Sequence, residues 1–187
     1  MAYLSRDILE QMDFKCLGKN VRISDKASVY NPDQIEIGDN SRVDDFCVIS
    51  GRIRIGKFVH IAPMCLVAGG DEGVVFEDFS GLAYGVKIFT KSDDYSGRTL
   101  TNPTVDIKYK NEKSKKVCLG KHVIVGTDSI IFPGVHLAEG CSVGAMALVN
   151  RSTKPWGVYA GNPARRLKER KNDLLELEHK FLAEFYK

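Results

Sequence analysis

Two groups of side chains in this sequence could take part in proton transfer, a pair of adjacent aspartates in a polar run and the histidines. Asp93 and Asp94 stand in the polar run SDDYSG, residues 92–97. The four histidines are His60, His122, His136 and His179. An imidazole is an effective general base, whereas an unperturbed aspartate, with a pKa of about 3.9, is a weak one. These aspartates and histidines are the candidates for proton transfer.

Each candidate also has a structural interpretation. The two aspartates can form an Asx-type turn ahead of Ser96, and one of them can be structural while the other is catalytic. His60 stands beside an apolar position, where an outward-facing histidine is often an interface residue. Tyr84 could hydrogen-bond or stack on a substrate, although packing is the simpler explanation. The last two histidines are expected to be structural or exposed.

Bulk properties exclude several classes of protein. The 187 residues are 43% hydrophobic and 27% charged, and a net charge of +3 is too small to indicate nucleic acid as the main partner. No apolar run approaches the roughly 20 residues of a membrane span, and the N-terminus lacks a secretory signal. The 5 cysteines are scattered without a CxxC pair, which argues against disulfides and zinc. We expect a cytoplasmic protein that requires no metal.

A six-residue repeat organises most of the chain. Every sixth position is aliphatic or phenylalanine, in four runs separated by breaks of register. These positions are Leu17, Ile23, Val29, Ile37, Val43, Ile49, Ile55, Ile61, Val67, Phe76, Leu82, Ile88, Leu119, Val125, Ile131, Leu137, Val143 and Val149. Small or β-branched residues usually follow four positions later, and glycine often stands directly after the apolar residue, as at Gly18 and Gly126.

This spacing fits neither the period of a helix, about 3.6 residues, nor the alternation of an ordinary strand. It predicts short parallel strands joined by tight corners, with three faces in each 18-residue coil, such as the interval from Ile37 to Ile55. An antiparallel sandwich is the alternative, but it requires turn signals about every 8–12 residues, and the chain lacks them. We therefore predict an all-β hexapeptide solenoid, a parallel β-helix whose handedness the spacing leaves open.

The segments outside the repeat predict three further elements. Residues 1–16 have apolar residues at helical spacing, with Ser5 as a plausible N-cap, and are expected to form a short helical cap. The β-helix should span residues 17–161, interrupted by an excursion loop at 90–116 with a lysine-rich tail. Residues 162–187 should form a C-terminal α-helix, since Pro163 suits a helix start and no glycine or proline follows.

With this repeat in place, the chain resembles the hexapeptide-repeat acyltransferases, which include galactoside, maltose and serine acetyltransferases. Within that family it looks most like the small acyltransferases of surface-polysaccharide synthesis, some of which N-acylate a nucleotide-linked amino sugar. The resemblance spans nearly the whole chain. It is carried by residues 35–40 (IEIGDN), 59–62 (VHIA), 79–82 (FSGL), 92–97 (SDDYSG), 100–103 (LTNP) and 160–164 (AGNPA).

The resemblance implies a left-handed parallel β-helix that assembles as a homotrimer, with active sites between subunits and acetyl-CoA or another acyl-CoA along the outside of the coils. The implied activity is transfer of the acyl group to the amine of a nucleotide-linked amino-deoxy sugar. Two alternatives stay open: O-acetylation of a hydroxyl on a nucleotide-linked or free sugar, and a non-catalytic solenoid scaffold.

One departure from the family bears on the group that accepts the acyl chain. The sugar O-acetyltransferases have a catalytic histidine in the excursion loop, and by alignment this position falls at Asp93 or Asp94. The resemblance therefore implies Asp94 as the favoured catalytic residue, with His60 as its rival. The loss of the imidazole favours an amine over a hydroxyl acceptor, because an amine needs less help from a base and an aspartate can orient it. Asp93, Tyr84 and Tyr95 are the residues expected to contact the substrate.

Matching to galactoside acetyltransferase also implies a binding path for coenzyme A. Its pantetheine arm would lie near Thr127 and Ala145, and Gly126 or a neighbour could donate a backbone N–H to the oxyanion. A guanidinium suits a phosphate, and an arginine at a helix start is not explained by the helix dipole. The further residues implied on this path are Asn150, Arg151, Arg165, Arg166 and Lys168.

Overall fold

Short parallel strands stack in successive coils, as the six-residue repeat requires. The structure, a computed structural model, describes residues 2–186 and is a left-handed parallel β-helix of about 7 turns. The strands are β1 (Cys16–Leu17), β2 (Arg22–Ile23), β3 (Ser28–Tyr30), β4 (Ile35–Ile37), β5 (Arg42–Val43), β6 (Val48–Ile55), β7 (His60–Ile61), β8 (Leu66–Phe76), β9 (Gly81–Leu82), β10 (Lys87–Phe89), β11 (Lys91–Ser92), β12 (Lys113–Ser114), β13 (Val117–Leu119), β14 (Ile124–Val125), β15 (Ile130–Ile131), β16 (His136–Leu137), β17 (Ser142–Val143), β18 (Leu148–Val149), β19 (Gly157–Ala160) and β20 (Arg165–Glu169). The α-helices are α1 (Arg6–Gln11) and α2 (Leu174–Phe185), and short 3-10 helices lie at Pro32–Gln34 and Ile107–Tyr109.

The strand pairing follows the predicted register on all three faces. The first face aligns Leu17, Ile37, Ile55, Phe76, Leu119 and Leu137. The second face aligns Ile23, Val43, Ile61, Leu82, Val125 and Val143, and the third aligns Val29, Ile49, Val67, Ile88, Ile131 and Val149. All of these positions are buried except Leu17 and Val29 in the first coil, which are partly buried. The predicted fold class is confirmed.

The corner between the first and second faces has an aromatic column, formed by Phe58, Phe79, His122 and Trp156. All four residues adopt the left-handed backbone conformation. The ring centroids lie 4.8 Å apart for Phe58 and Phe79, and 5.4 Å apart for Phe79 and His122. Gly140 stands in the same column, where a Cβ would lie 2.4 Å from the Trp156 ring, so its missing side chain lets the indole cover this corner.

Helix α2 packs along the aromatic column. Phe181 makes edge contacts with Phe58 and Phe79, at 5.3 and 6.2 Å between centroids. Glu178 bonds the His122 ring at 2.9 Å through Oε2 and Lys121 Nζ at 2.6 Å through Oε1. Burial opposes ionisation of Glu178, but the hydrogen bonds from Lys121 and His122 outweigh it and lower its pKa. The helix is therefore held by both aromatic packing and charge.

The N-terminal cap is confirmed as a helix, but the predicted start of the C-terminal helix is wrong. Ser5 caps α1 by accepting the Ile8 N–H at 3.4 Å. At the other end, β20 pairs antiparallel with β19, and α2 begins only at Leu174. The edge strand of the last coil offers unpaired backbone groups, and the returning chain satisfies them, which overrides the helical composition of residues 162–173. The helix-dipole argument therefore does not apply to Arg165 and its neighbours.

One long excursion of the chain interrupts the stack of coils. The chain leaves the stack after Phe89 and rejoins it at Val117, and within this excursion β11 pairs antiparallel with β12. Within residues 2–186, no helix has the length and apolar character to cross a membrane. Met1 and Lys187, the outermost residues of the predicted cap and C-terminal helix, lie outside the described residues.

The inward register predicts unequal effects of truncating two isoleucines of the second face. Ile61 is 0% exposed, whereas Ile124 points outward and is 50% exposed. Ile61→Ala is expected to lower the free energy of unfolding by about 2–5 kcal/mol, because it removes buried surface and leaves a cavity. The matched control Ile124→Ala should cost no more than about 0.5 kcal/mol. Urea denaturation followed by circular dichroism measures both, and equal losses would contradict the register.

Candidate active site

The structure distributes the predicted site residues over four places, one of which is strand β7 on the second face, where His60 lies. Tyr84, Thr127 and Ala145 follow one another at the corner between the second and third faces. Asp93, Asp94, Tyr95, Asn150 and Arg151 lie at the corner between the third and first faces or in the excursion that leaves it. Arg165, Arg166 and Lys168 lie on β20, at the end of the stack.

One cavity gathers the predicted acceptor residues. This loop cavity, of about 410 Å³, opens where the excursion folds against the third face. Asp93, Asp94, Tyr95 and Asn150 line it, although Asn150 is far from the other three in sequence. Stacking of the coils therefore brings a residue predicted to bind the cofactor next to the predicted acceptor residues.

The Asp94 carboxylate is already engaged in three hydrogen bonds. Ser96 donates its backbone N–H and its hydroxyl, each at 2.9 Å, and Thr99 donates its hydroxyl at 3.2 Å. The Asx-type turn is thus present. These bonds, first those from Ser96, hold the pKa of Asp94 below its usual value. Asp94 is therefore a fixed anion that can attract an ammonium group but has little tendency to keep a proton.

The environment of His60 differs from that of Asp94, because a buried carboxylate contacts its ring. Its Nε2 lies 2.7 Å from Oδ2 of Asp44, a residue that is 1% exposed. Arg42 also contacts that oxygen at 3.0 Å, and its Nη2 lies 2.8 Å from Nε2. His60 can donate to Asp44 only in the tautomer that has the proton on Nε2, whereas Arg42 can donate to Nε2 only in the other tautomer. In the tautomer that is bonded to Asp44, Nδ1 is the ring nitrogen that can accept a proton, as in an Asp–His dyad.

His60 and Tyr84 share a second cavity. This second-face groove, of about 460 Å³, lies between the second face and the start of α2, and Phe79, His122 and Arg170 also line it. Gly81 is paired with His60 in the next coil, and its missing side chain helps to leave this space open. Asp94 lines the loop cavity instead, so the single chain does not bring the two catalytic candidates together.

The backbone of the corner residues limits which N–H groups can face a ligand. The Gly126 N–H donates to the Val143 carbonyl at 2.8 Å, so the prediction that Gly126 itself serves as an oxyanion donor is wrong. The N–H groups of Thr127 and Ala145 have no acceptor within residues 2–186. Two successive coils therefore present free backbone donors on one corner. A neighbour of Gly126 in sequence, rather than Gly126 itself, thus has an N–H that is free to donate to an oxyanion.

The basic residues of β20 are all exposed. Arg166 forms an ion pair with Glu169 at 2.6 Å, and Arg165 donates to the carbonyl of Ala164 at 3.0 Å. Lys168 has no carboxylate within 4 Å among the described residues. Because side chains alternate along a strand, Arg165 and Arg166 point to opposite sides of β20.

The sequence did not single out Asp44, which contacts His60 of the second-face groove, or three residues that line the loop cavity. Asp44 follows an apolar residue of the repeat, at a position where glycine is frequent. An aspartate at this position departs from the repeat, and this departure could have identified it. Phe132 lines the loop cavity because it stands one coil before Asn150 in the hexad register. Lys113 and Lys115 also line it, but nothing in the lysine-rich tail distinguished them from their neighbours. Within residues 2–186, no cluster of three or more His, Cys, Asp or Glu side chains could hold a metal ion.

Similarity to known proteins covers nearly the whole chain, although no family model matches it. Over 184 residues the chain is 43% identical to the dTDP-4-amino-4,6-dideoxy-D-glucose acyltransferase of Escherichia coli, and the match covers 97% of this chain and 95% of that protein. The full-length agreement includes the excursion and both ends. It therefore extends beyond the repeat that all β-helices of this type share.

Solved structures give the same relationship. AntD, an N-acyltransferase from Bacillus cereus, in complex with dTDP and 3-hydroxybutyryl-CoA, has a TM-score of 0.97 and 44% identity, covering 99% of this chain and 98% of that one. A variant of AntD in complex with dTDP-4-amino-4,6-dideoxyglucose and coenzyme A has a TM-score of 0.97 and 45% identity, covering 98% of each chain. These relatives are enzymes, which removes the scaffold alternative. The chain therefore belongs to the hexapeptide-repeat acyltransferases and uses acyl-CoA as its cosubstrate.

Proposed function

We propose that this enzyme transfers an acyl group from acyl-CoA to the amine of a nucleotide-linked amino-deoxy sugar, with dTDP-4-amino-4,6-dideoxyglucose as the first acceptor to test. The observation that carries the proposal is the presence of the two carboxyl groups of Asp93 and Asp94 in the loop cavity, where an O-acetyltransferase of the family has an imidazole. The near-full-length similarity to amino-sugar acyltransferases supports the same acceptor.

In the proposed reaction the amine nitrogen attacks the thioester carbonyl carbon and forms a tetrahedral oxyanion. The C–S bond then breaks, the nitrogen loses one proton, and the products are an amide and free CoA thiol. The free N–H groups of Thr127 and Ala145 are suited to polar contacts along acyl-CoA and, in the case of Thr127, to the oxyanion. The exposed β20 residues, Arg165 and Lys168 among them, are the candidates for the phosphates of coenzyme A.

Asp94 and His60 receive different roles in this proposal. Asp94, with its low pKa, orients the attacking amine through charge and hydrogen bonding. His60, oriented by Asp44, is the group better suited to accept a proton. Asp93, Tyr84 and Tyr95 would contact the acceptor.

A homotrimer would bring these separated residues together between subunits. The outward side chains of the third face are mostly apolar and only partly exposed, including Val48, Leu66, Ile130 and Leu148. The neighbouring corner adds Met64 and Met146, which are 63% and 77% exposed. A largely apolar surface of this kind, interrupted by Lys87 between Leu66 and Ile130, is typical of a subunit interface. In a trimer it would bring the corner of Thr127 and Ala145 next to the excursion of a neighbouring subunit.

The cytoplasm is the proposed compartment of the enzyme. All 5 cysteines have free thiols, as expected in reducing surroundings. The proposed product, an acylated nucleotide sugar, is an activated building block that suits the synthesis of a surface polysaccharide.

The nature of the acceptor is tested with two matched sugars. We expect thiol release from acetyl-CoA or 3-hydroxybutyryl-CoA with dTDP-4-amino-4,6-dideoxyglucose. Release should be absent with dTDP-6-deoxyglucose, which differs from it by a hydroxyl in place of the amine, and with galactosides. Thiol detection with a chromogenic disulfide measures the rates. Faster turnover of the hydroxyl sugars, together with loss of activity in His60→Ala, would show an O-acetyltransferase instead.

The role of Asp94 is tested by Asp94→Asn, which keeps an acceptor oxygen for the Ser96 N–H but removes the charge. We expect kcat to fall about 10- to 100-fold, because the amine loses its anionic partner. The Kd of acyl-CoA, measured by calorimetry, should stay unchanged. Asp106→Asn is the control, because Asp106 also accepts a backbone N–H, from Lys108 at 3.0 Å, in the same excursion. An unchanged kcat in Asp94→Asn would remove Asp94 from the chemistry.

The trimer is tested by Leu66→Asp on the third face. Light scattering of the parent protein should give three times the chain mass of 20.8 kDa. The variant is expected to dissociate, because a charge in an apolar interface is costly to desolvate. Leu177→Asp is the control, since Leu177 is 63% exposed on α2, away from the third face. A variant that keeps the β-sheet circular dichroism and the parent mass would contradict the assignment of this interface.

A further inference from the structure

The lysines of the excursion fall into two groups according to their partners. Lys91 and Lys110 both pair with Glu112, the latter at 2.6 Å, and Lys108 lies 3.7 Å from Asp106. By contrast, no carboxylate among residues 2–186 lies within 4 Å of the Nζ atom of either cavity lysine, Lys113 or Lys115. These two positive charges are therefore available to a ligand.

Backbone pairing within the excursion and with the coils fixes the positions of both cavity lysines. Lys113 stands opposite Ser92 in the pairing of β11 with β12, and the Lys115 N–H donates to the Thr90 carbonyl at 2.8 Å. The Lys115 stem lies over Gly134, where a Cβ would come within 3.0 Å of its Cδ. Gly134 therefore leaves the room along which this side chain reaches the loop cavity.

Side chains of opposite charge line the loop cavity. Asp93 and Asp94 follow β11, and Lys113 and Lys115 belong to or follow β12. A carboxylate suits an ammonium group, and a lysine ammonium is a common ligand of phosphate oxygens. A nucleotide-linked amino sugar has an amine on one side of its ring and a pyrophosphate on the other. Its charge distribution therefore complements that of the cavity.

We propose that Lys113 and Lys115 bind the pyrophosphate of the nucleotide-linked acceptor and so make the enzyme select nucleotide-activated over free amino sugars. This inference rests on the proposed function and deepens it. Phe132, 39% exposed, lines the same cavity and offers a ring face for the sugar or the base. Coenzyme A also contains a pyrophosphate, so the experiment must separate the two ligands.

Binding of dTDP, measured by calorimetry without turnover, provides the first test. Lys113→Ala and Lys115→Ala are each expected to weaken dTDP binding roughly tenfold, because each removes a charge-assisted contact to phosphate. Lys115→Arg should retain most of the affinity. Lys108→Ala is the control, since this exposed lysine of the same excursion is paired with Asp106 and does not line the cavity.

Steady-state kinetics provides the second test. In the double variant the KM for the nucleotide sugar should rise more than tenfold, while kcat and the KM for acyl-CoA change less than twofold. The same amino sugar without its nucleotide, at high concentration, should react equally with the parent and the double variant. Unchanged dTDP affinity in the double variant, or an effect confined to acyl-CoA, would overturn the inference and leave the proposed function intact. A parent protein that neither binds dTDP nor acylates the nucleotide sugar would overturn both.

Discussion

The parallel stacking of one coil on the next is the interaction on which the rest of this enzyme depends. Each inward side chain, such as Ile61 between Val43 and Leu82, contacts equivalents above and below it, and each strand completes the backbone hydrogen bonds of its neighbours. No coil could bury its apolar face alone. A rigid column with regularly spaced corners results, and residues far apart in sequence become neighbours along a corner. Thr127 and Ala145, and likewise Phe132 and Asn150, are such pairs.

The candidate site lies where this regularity is broken. The excursion between β10 and β13 has its own small sheet of β11 and β12 and its own polar bonds, including those around Asp94. These bonds keep Asp94 ionised, whereas His60 stands on the regular second face and is oriented by the buried Asp44. The two candidates thus differ in chemistry as well as in place. One is a carboxylate held by three hydrogen bonds, and the other is an imidazole in contact with a buried carboxylate.

Sequence reasoning succeeded where a residue's environment repeats along the chain. The inward positions from Leu17 to Val149, the cap at Ser5 and the long departure after Ile88 all followed from local spacing. It failed at Arg165, where a helical composition was overridden because the last coil offered an unpaired strand edge. It also failed at Gly126, whose N–H is used by the carbonyl of Val143 in the next coil, a contact that composition does not reveal.

The six-residue spacing was enough to predict the stacked parallel coils, although not their handedness, because it leaves one arrangement in which the repeated apolar positions are buried together. The sequence by itself also indicated an amine acceptor, through the aspartates that replace a loop histidine. Only the tertiary structure decided how the polar groups are combined. It placed Asp44 against His60, gave Asp94 hydrogen bonds from Ser96 and Thr99, and brought two lysines without an ion pair into the same cavity as two carboxylates. These combinations depend on distances between coils and across the excursion, which spacing along a chain does not encode.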